Sequence, residues 1–76
     1  MQVDILTPDA SLYSGDAQVV TLPGVTGSFQ IKNGHAPLIS ALSKGKVIVD
    51  TGSEKKEFSV NGGIIEVLKN KIVILA

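Results

Sequence analysis

Apolar residues in this chain recur in short alternating runs, cut by turn signals about every 8–10 residues. No segment carries the i, i+3, i+4, i+7 apolar spacing of an amphipathic helix, so no substantial helix is expected. Alternation with period two places successive side chains on opposite faces of a strand. The pattern predicts strands over Val3–Thr7, Ser11–Tyr13, Gln18–Leu22, Phe29–Ile31 and Leu38–Leu42. Further strands follow over Lys46–Thr51, Glu57–Val60, Ile64–Leu68 and Ile72–Leu75. Expected turns include Asn33-Gly34, Ser43-Lys44-Gly45, Gly52–Lys55, the break at Asn61-Gly62-Gly63 and a hairpin at Lys69-Asn70. Gly62-Gly63 marks a bulge or a close backbone approach. Many short strands with frequent turns predict an all-β fold, a two-sheet antiparallel β-sandwich, as a single domain over residues 1–76.

Size sharpens that expectation. A chain of 76 residues buries only roughly 60% of the surface that its unfolded form exposes. It has no cysteine, so neither disulfides nor zinc thiolates can staple it. Only Tyr13, Phe29 and Phe58 are aromatic, so the core must be Val, Ile and Leu, which suits paired strands. The final run Ile72-Val73-Ile74-Leu75-Ala76 is apolar to its end and must lie inside a sheet or against a neighbour.

The stretch Leu22–Leu42 carries what specificity the chain has. It holds two of the three prolines, three of the eight glycines, the only histidine and one of the two phenylalanines. Charge excludes some functions. Seven lysines balance seven carboxylates, and there is no arginine, the usual bidentate reader of phosphate and guanine. No nucleic-acid role is expected. No apolar run is long enough to cross a bilayer as a helix, and Met1-Gln2-Val3-Asp4 does not open a signal peptide.

Chemistry is sparse. His35 is the one histidine, set in a glycine–proline turn, and a nucleophile–base–orienter triad cannot be assembled around it with any specificity. Its plain reading is a turn residue whose ring packs on, or hydrogen bonds within, the Gly34–Pro37 loop. Gly45-Lys46 is followed by Val47 and a strand, not by the Ser or Thr and helix of a phosphate-binding loop. No metal-ligand cluster of recognisable spacing exists. Phe29 is either core or an interface anchor. No catalytic residue, cofactor site or metal site is expected.

Several segments together carry a family resemblance. These are Leu22-Pro23-Gly24, Gly34-His35-Ala36-Pro37-Leu38-Ile39-Ser40-Ala41-Leu42, Ser59–Val67 and Lys71–Ala76. In this order and spacing the chain resembles the amino-terminal β-sandwich of the epsilon subunit of the rotary, proton-translocating ATP synthase. The resemblance implies a non-catalytic central-stalk subunit that couples rotation of the membrane c ring to ATP synthesis in the catalytic head. The implied partners are the gamma subunit and the c-subunit ring, on the cytoplasmic side of the bacterial inner membrane, with the membrane met only through the complex. By resemblance, His35, Ala36, Pro37 and Leu38 face gamma. Val25, Thr26, Gly27, Ser28 and Phe29 form a loop that faces the c ring. Ser28 stands where other members can have an acidic residue, and Gln30 and Asn33 replace Gly and Pro.

The family's carboxyl-terminal helices have no counterpart in these residues. A two-helix hairpin would need roughly 35–50 further residues. A subunit of these residues alone is expected neither to restrain ATP hydrolysis by extending helices nor to bind ATP through them; a longer chain stays open. So do two alternatives: a small β-barrel enzyme or ligand-binding domain, and a free-standing adaptor unrelated to the synthase.

Overall fold

The computed structural model describes residues 1–76 as seven β-strands. In chain order they are β1 (Gln2–Leu6), β2 (Ser11–Asp16), β3 (Val19–Gly24), β4 (Gly27–Lys32), β5 (Leu38–Asp50), β6 (Lys55–Leu68) and β7 (Lys71–Leu75). They form one hydrogen-bonded sheet in the order β2-β1-β7-β6-β5-β3-β4. Laid flat, a sheet of this many strands at about 4.8 Å per step would be about 29 Å wide. The Cα atoms instead occupy 25 × 23 × 19 Å. The sheet therefore folds over on itself as the expected β-sandwich, with its layers continuous through β5 and β6. One pair is not antiparallel: β1 lies parallel to β7, with Val3 opposite Ile72 and Ile5 opposite Ile74.

The core is aliphatic, as the scarcity of aromatics requires. Val3 and Ile5 of β1, Ile72 and Ile74 of β7 and Ile65 and Val67 of β6 line one layer. Val20 and Leu22 of β3, Ile31 of β4 and Val47 and Val49 of β5 line the other. Burying each of these side chains stabilises by about 1.5–3 kcal/mol. Tyr13 of β2 meets Phe58 of β6 with ring centroids 5.6 Å apart, and Lys56 Nζ stands 5.4 Å from the centre of the Tyr13 ring. These contacts close the layers at one end.

Strands β5 and β6 are longer than the sequence suggests. Ser43-Lys44-Gly45 does not turn the chain, and Asn61-Gly62-Gly63 does not end a strand; both lie within strands that keep one register from Leu38↔Val67 to Asp50↔Lys55. The reason is that the two breaks face each other, Leu42 opposite Gly63 and Lys44 opposite Asn61, so both strands bend together without losing partners. Likewise Ser14-Gly15-Asp16 continues β2 because each residue pairs with β1. The sequence cues at Asn33-Gly34 and Lys69-Asn70 do mark turns, and Lys69 and Asn70 have φ of 51° and 59°.

The bend has a second consequence. On β5, Leu42 points inward, but beyond the bend Val47 and Val49 do; on β6, Val60 points inward, but beyond the bend Ile65 and Val67 do. The inward set switches from even to odd numbers on both strands at the same level. Gly62 and Gly63 make this possible with φ of 115° and 135°, which other residues rarely adopt. A Cβ on Gly63 would also collide with the Leu75 carbonyl oxygen, the close approach expected from sequence. Gly63→Ala is therefore expected to lower stability by more than about 1 kcal/mol. Urea unfolding followed by circular dichroism would measure it, and an unchanged midpoint would contradict this role for the corner.

Candidate functional site

The loop between β4 and β5, Asn33–Pro37, is tied to two distant segments and closed by one local turn bond. Asn33 Oδ1 accepts a 2.7 Å hydrogen bond from the Met1 α-ammonium. The Gly34 amide donates to Asn70 Oδ1 at 2.9 Å, and the His35 amide donates to the Lys32 carbonyl at 3.2 Å. His35 Nδ1 lies 2.6 Å from the Ala36 carbonyl oxygen, so the ring is held against its own turn, as the sequence reading anticipated. His35, Ala36 and Pro37 are exposed. Leu38 is half-buried and packs on the core, so it supports this surface more than it presents it.

Directly beyond the loop lies a face that sequence reasoning missed. Ile39 is 71% exposed, and Ile64, Leu68 and Leu75 are each about half exposed. Strand pairing aligns them. Ala41, Ile64, Leu75 and Leu6 form one row across β5, β6, β7 and β1, and Ile39, Glu66, Val73 and Asp4 form the next. A shallow groove runs between Pro37, Leu38, Ile39, Glu66, Val67 and Leu68, continuous with a second lined by Glu66, Leu68, Lys69, Lys71 and Val73. The signal was present in the sequence. Ile64-Ile65 and Ile72–Leu75 are apolar at consecutive positions, so both faces of those strands are apolar. The outer face of the other layer is more polar, with Lys46, Asp50, Glu57, Lys55, Thr21 and Gln30 around Ile48.

The second candidate stretch is not a loop throughout. Only Val25 and Thr26 form the β3–β4 turn; Gly27, Ser28 and Phe29 belong to β4, paired with Gly24, Pro23 and Leu22. The cause is that the hairpin closes in two residues, so pairing resumes at once. Val25 at the tip is 63% exposed, Ser28 is exposed, and Phe29 packs against the core. Ser43 Oγ donates to the Pro23 carbonyl at 3.1 Å and fixes the hairpin base to β5. The turn Val25-Thr26 and the loop Asn33–Pro37 sit at opposite ends of β4, about 17 Å apart along the strand, so the structure keeps the two candidate surfaces separate.

Charges frame the first of these surfaces. Asp4 is held below the ordinary carboxylate value of 3.8, chiefly by the Ser14 hydroxyl donating at 2.6 Å, with Gln2 and Lys71 adding to the effect. Asp16 is lowered by the hydrogen bond from the Met1 ammonium at 2.9 Å and by its charge. No group of three or more His, Asp or Glu is placed to hold a metal ion. Both depressed carboxylates favour the folded state above their unfolded value, and this stability is lost as pH falls through the lowered folded values. Ser14→Ala is expected to move Asp4 up toward its ordinary value and to flatten that loss, leaving Asp16 unchanged. Carboxyl NMR titration would test this; an unmoved Asp4 would show that another group sets it.

The ATP synthase delta/epsilon chain β-sandwich domain matches residues 1–76. The chain is 38% identical to the ATP synthase epsilon chain of Salinibacter ruber over 85 aligned residues, covering all of this chain and 57% of that one. It is 41% identical to the epsilon chain of Chlorobium limicola, covering 97% of this chain and 85% of that one. The chain thus spans little more than half the length of some relatives and most of others. Its fold is similar to chains in the central stalk and c-ring structure of Tetrahymena thermophila mitochondrial ATP synthase (TM-score 0.83, 23% identity, 97% of this chain, 60% of that chain). It is also similar to a chain in the Euglena gracilis mitochondrial enzyme (TM-score 0.90, 18% identity, 97% of this chain, 48% of that chain).

Proposed function

Because the chain belongs to the β-sandwich family of the ATP synthase delta/epsilon chain, we propose that it is a non-catalytic central-stalk part of that enzyme. In this reading it binds the gamma subunit and the c ring, and it carries rotation driven by proton flow toward the catalytic head. It works on the cytoplasmic side of the bacterial membrane and reaches the membrane only through its partners.

The observation that carries the reading is the apolar outer face of β5, β6 and β7. An exposed patch of Ile39, Ala41, Ile64, Leu68 and Leu75 bordered by Glu66, Lys69 and Lys71 has the anatomy of a protein interface, an apolar centre with a charged rim. It is continuous with Pro37 and Leu38, so the gamma contact begins at His35–Leu38 and extends over the sheet. The Val25–Phe29 hairpin is the c-ring contact: its tip projects Val25 and Thr26, while Phe29 anchors it to the core.

Two experiments test these assignments. Ile39→Glu alters a largely exposed side chain, so the fold is retained. It is expected to weaken gamma binding by about tenfold or more, some 1.4 kcal/mol. Full retention of gamma in co-purification would exclude the sheet face. His35→Ala, which leaves the sheet face intact, should produce a smaller loss. A cysteine replacing Ser28 meets no native thiol in this chain and is expected to cross-link to the polar loop of a c subunit in assembled complex. Cross-linking to head subunits alone would reverse the proposed orientation.

A further inference from the structure

The chain contains two Asn-Gly pairs, Asn33-Gly34 and Asn61-Gly62, and the fold treats them differently. Asn followed by Gly is prone to ring closure, because no side chain hinders the glycine amide nitrogen as it approaches the asparagine Cγ. Asn61 lies inside β6 opposite Lys44, and the pairs Leu42↔Gly63 and Gly45↔Val60 hold its main chain extended on both sides. Ring closure there must break the ladder. Asn33 lies in a turn outside any ladder and is exposed to water.

Two contacts act on Asn33-Gly34 in opposite directions. The Met1 α-ammonium donates to Asn33 Oδ1 at 2.7 Å. A cationic donor on that oxygen stabilises the negative charge that develops there when a nucleophile adds to Cγ. Against this, the Gly34 amide donates to Asn70 Oδ1 at 2.9 Å, which keeps the nucleophilic nitrogen engaged elsewhere.

We propose that Asn33 is a site of deamidation through a succinimide, with the rate set by the Asn70 side chain that holds the Gly34 amide. The Gly34 nitrogen gives its proton to water or hydroxide and attacks Asn33 Cγ. The new N–Cγ bond forms, the Cγ–Nδ2 bond breaks, and the side-chain nitrogen takes up a proton and leaves as ammonia. One water then opens the ring. Attack at the former side-chain carbonyl gives aspartate; attack at the main-chain carbonyl gives isoaspartate. Water is the only co-reactant, and no oxidant or reductant enters. Either product places a carboxylate beside the Met1 ammonium. Isoaspartate also lengthens the main chain by one methylene just ahead of His35–Leu38. Any consequence for gamma binding rests on the function proposed above; the modification does not.

The test follows the purified protein at mildly alkaline pH by peptide mapping and isoaspartate methyltransferase labelling. Wild type is compared with Asn70→Gly. Asn70 has φ 59° in a hairpin turn, a conformation that glycine adopts freely, so the variant retains the fold. Product is expected at Asn33, forming at least about tenfold faster in the variant, a barrier lowered by about 1.4 kcal/mol or more. Asn61 should stay unmodified in both folded proteins and react once urea unfolds them. No product at Asn33, equal rates at Asn33 and Asn61 in the folded protein, or a smaller acceleration in Asn70→Gly would each overturn the proposal.

Discussion

Strands β5 and β6 pair in a single register along their length, and they belong to both layers of the sandwich. Every other strand depends on that ladder. β7 and then β1 and β2 extend from the second half of β6, while β3 and β4 extend from the second half of β5. Two layers packed only through side chains could shift against each other. Layers that share two hydrogen-bonded strands cannot do so without breaking backbone pairs, and an unpaired buried backbone group is costly. The bend at Gly62-Gly63 is thus what lets a short chain with an almost wholly aliphatic core close its two layers on each other. For a part proposed to transmit rotation, stiffness of this kind matters more than any single contact.

The same ladder separates the two outer faces. Beyond the bend, the positions of β6 that face outward carry Ile64, Glu66 and Leu68; before it they carry Lys55, Glu57 and Ser59. One strand therefore contributes to a largely polar surface at one end and to an apolar surface at the other. The sheet edges are the six-residue strands β2 and β4, away from the apolar face. The apolar surface lies toward the middle of the sheet, on β5, β6 and β7, where the proposed partner would meet side chains and not open backbone.

What could be read from sequence follows from how far each signal reaches. Turns made by local chemistry were legible: Asn33-Gly34 and Lys69-Asn70 turn because of residues in the turn itself. Ser43-Lys44-Gly45 and Asn61-Gly62-Gly63 were misread because their outcome depends on each other across the ladder, and a single segment carries no record of its partner. The parallel pairing of β1 with β7 was invisible for the same reason, since Val3–Leu6 and Ile72–Leu75 are far apart in the chain. Among the candidate site residues, the exposed turn at His35–Pro37 was legible through its turn chemistry, and its place in an interface is a proposal drawn from the resemblance to a family motif. Ile39, Ile64 and Leu75 were hidden because an apolar residue in an apolar run reads as core until the sheet shows which way it points.

The loop that borders the apolar face is held by contacts outside it as well as within it. Asn33 is held to Met1, Gly34 to Asn70 and His35 to Lys32, so the start of β1, the β6–β7 turn and the end of β4 all fix one short segment. Ordering a flexible loop costs part of any binding energy, and a loop already ordered avoids that cost. The core is closed by aliphatic packing, but this corner is closed by polar side chains at the surface. The sandwich can therefore present His35, Ala36 and Pro37 in a fixed geometry beside Ile39 without spending core residues to do so. Leu38 packs inward and Ile39 outward because β5 begins at Leu38 and alternates its faces, while Pro37 before it stays exposed in the loop.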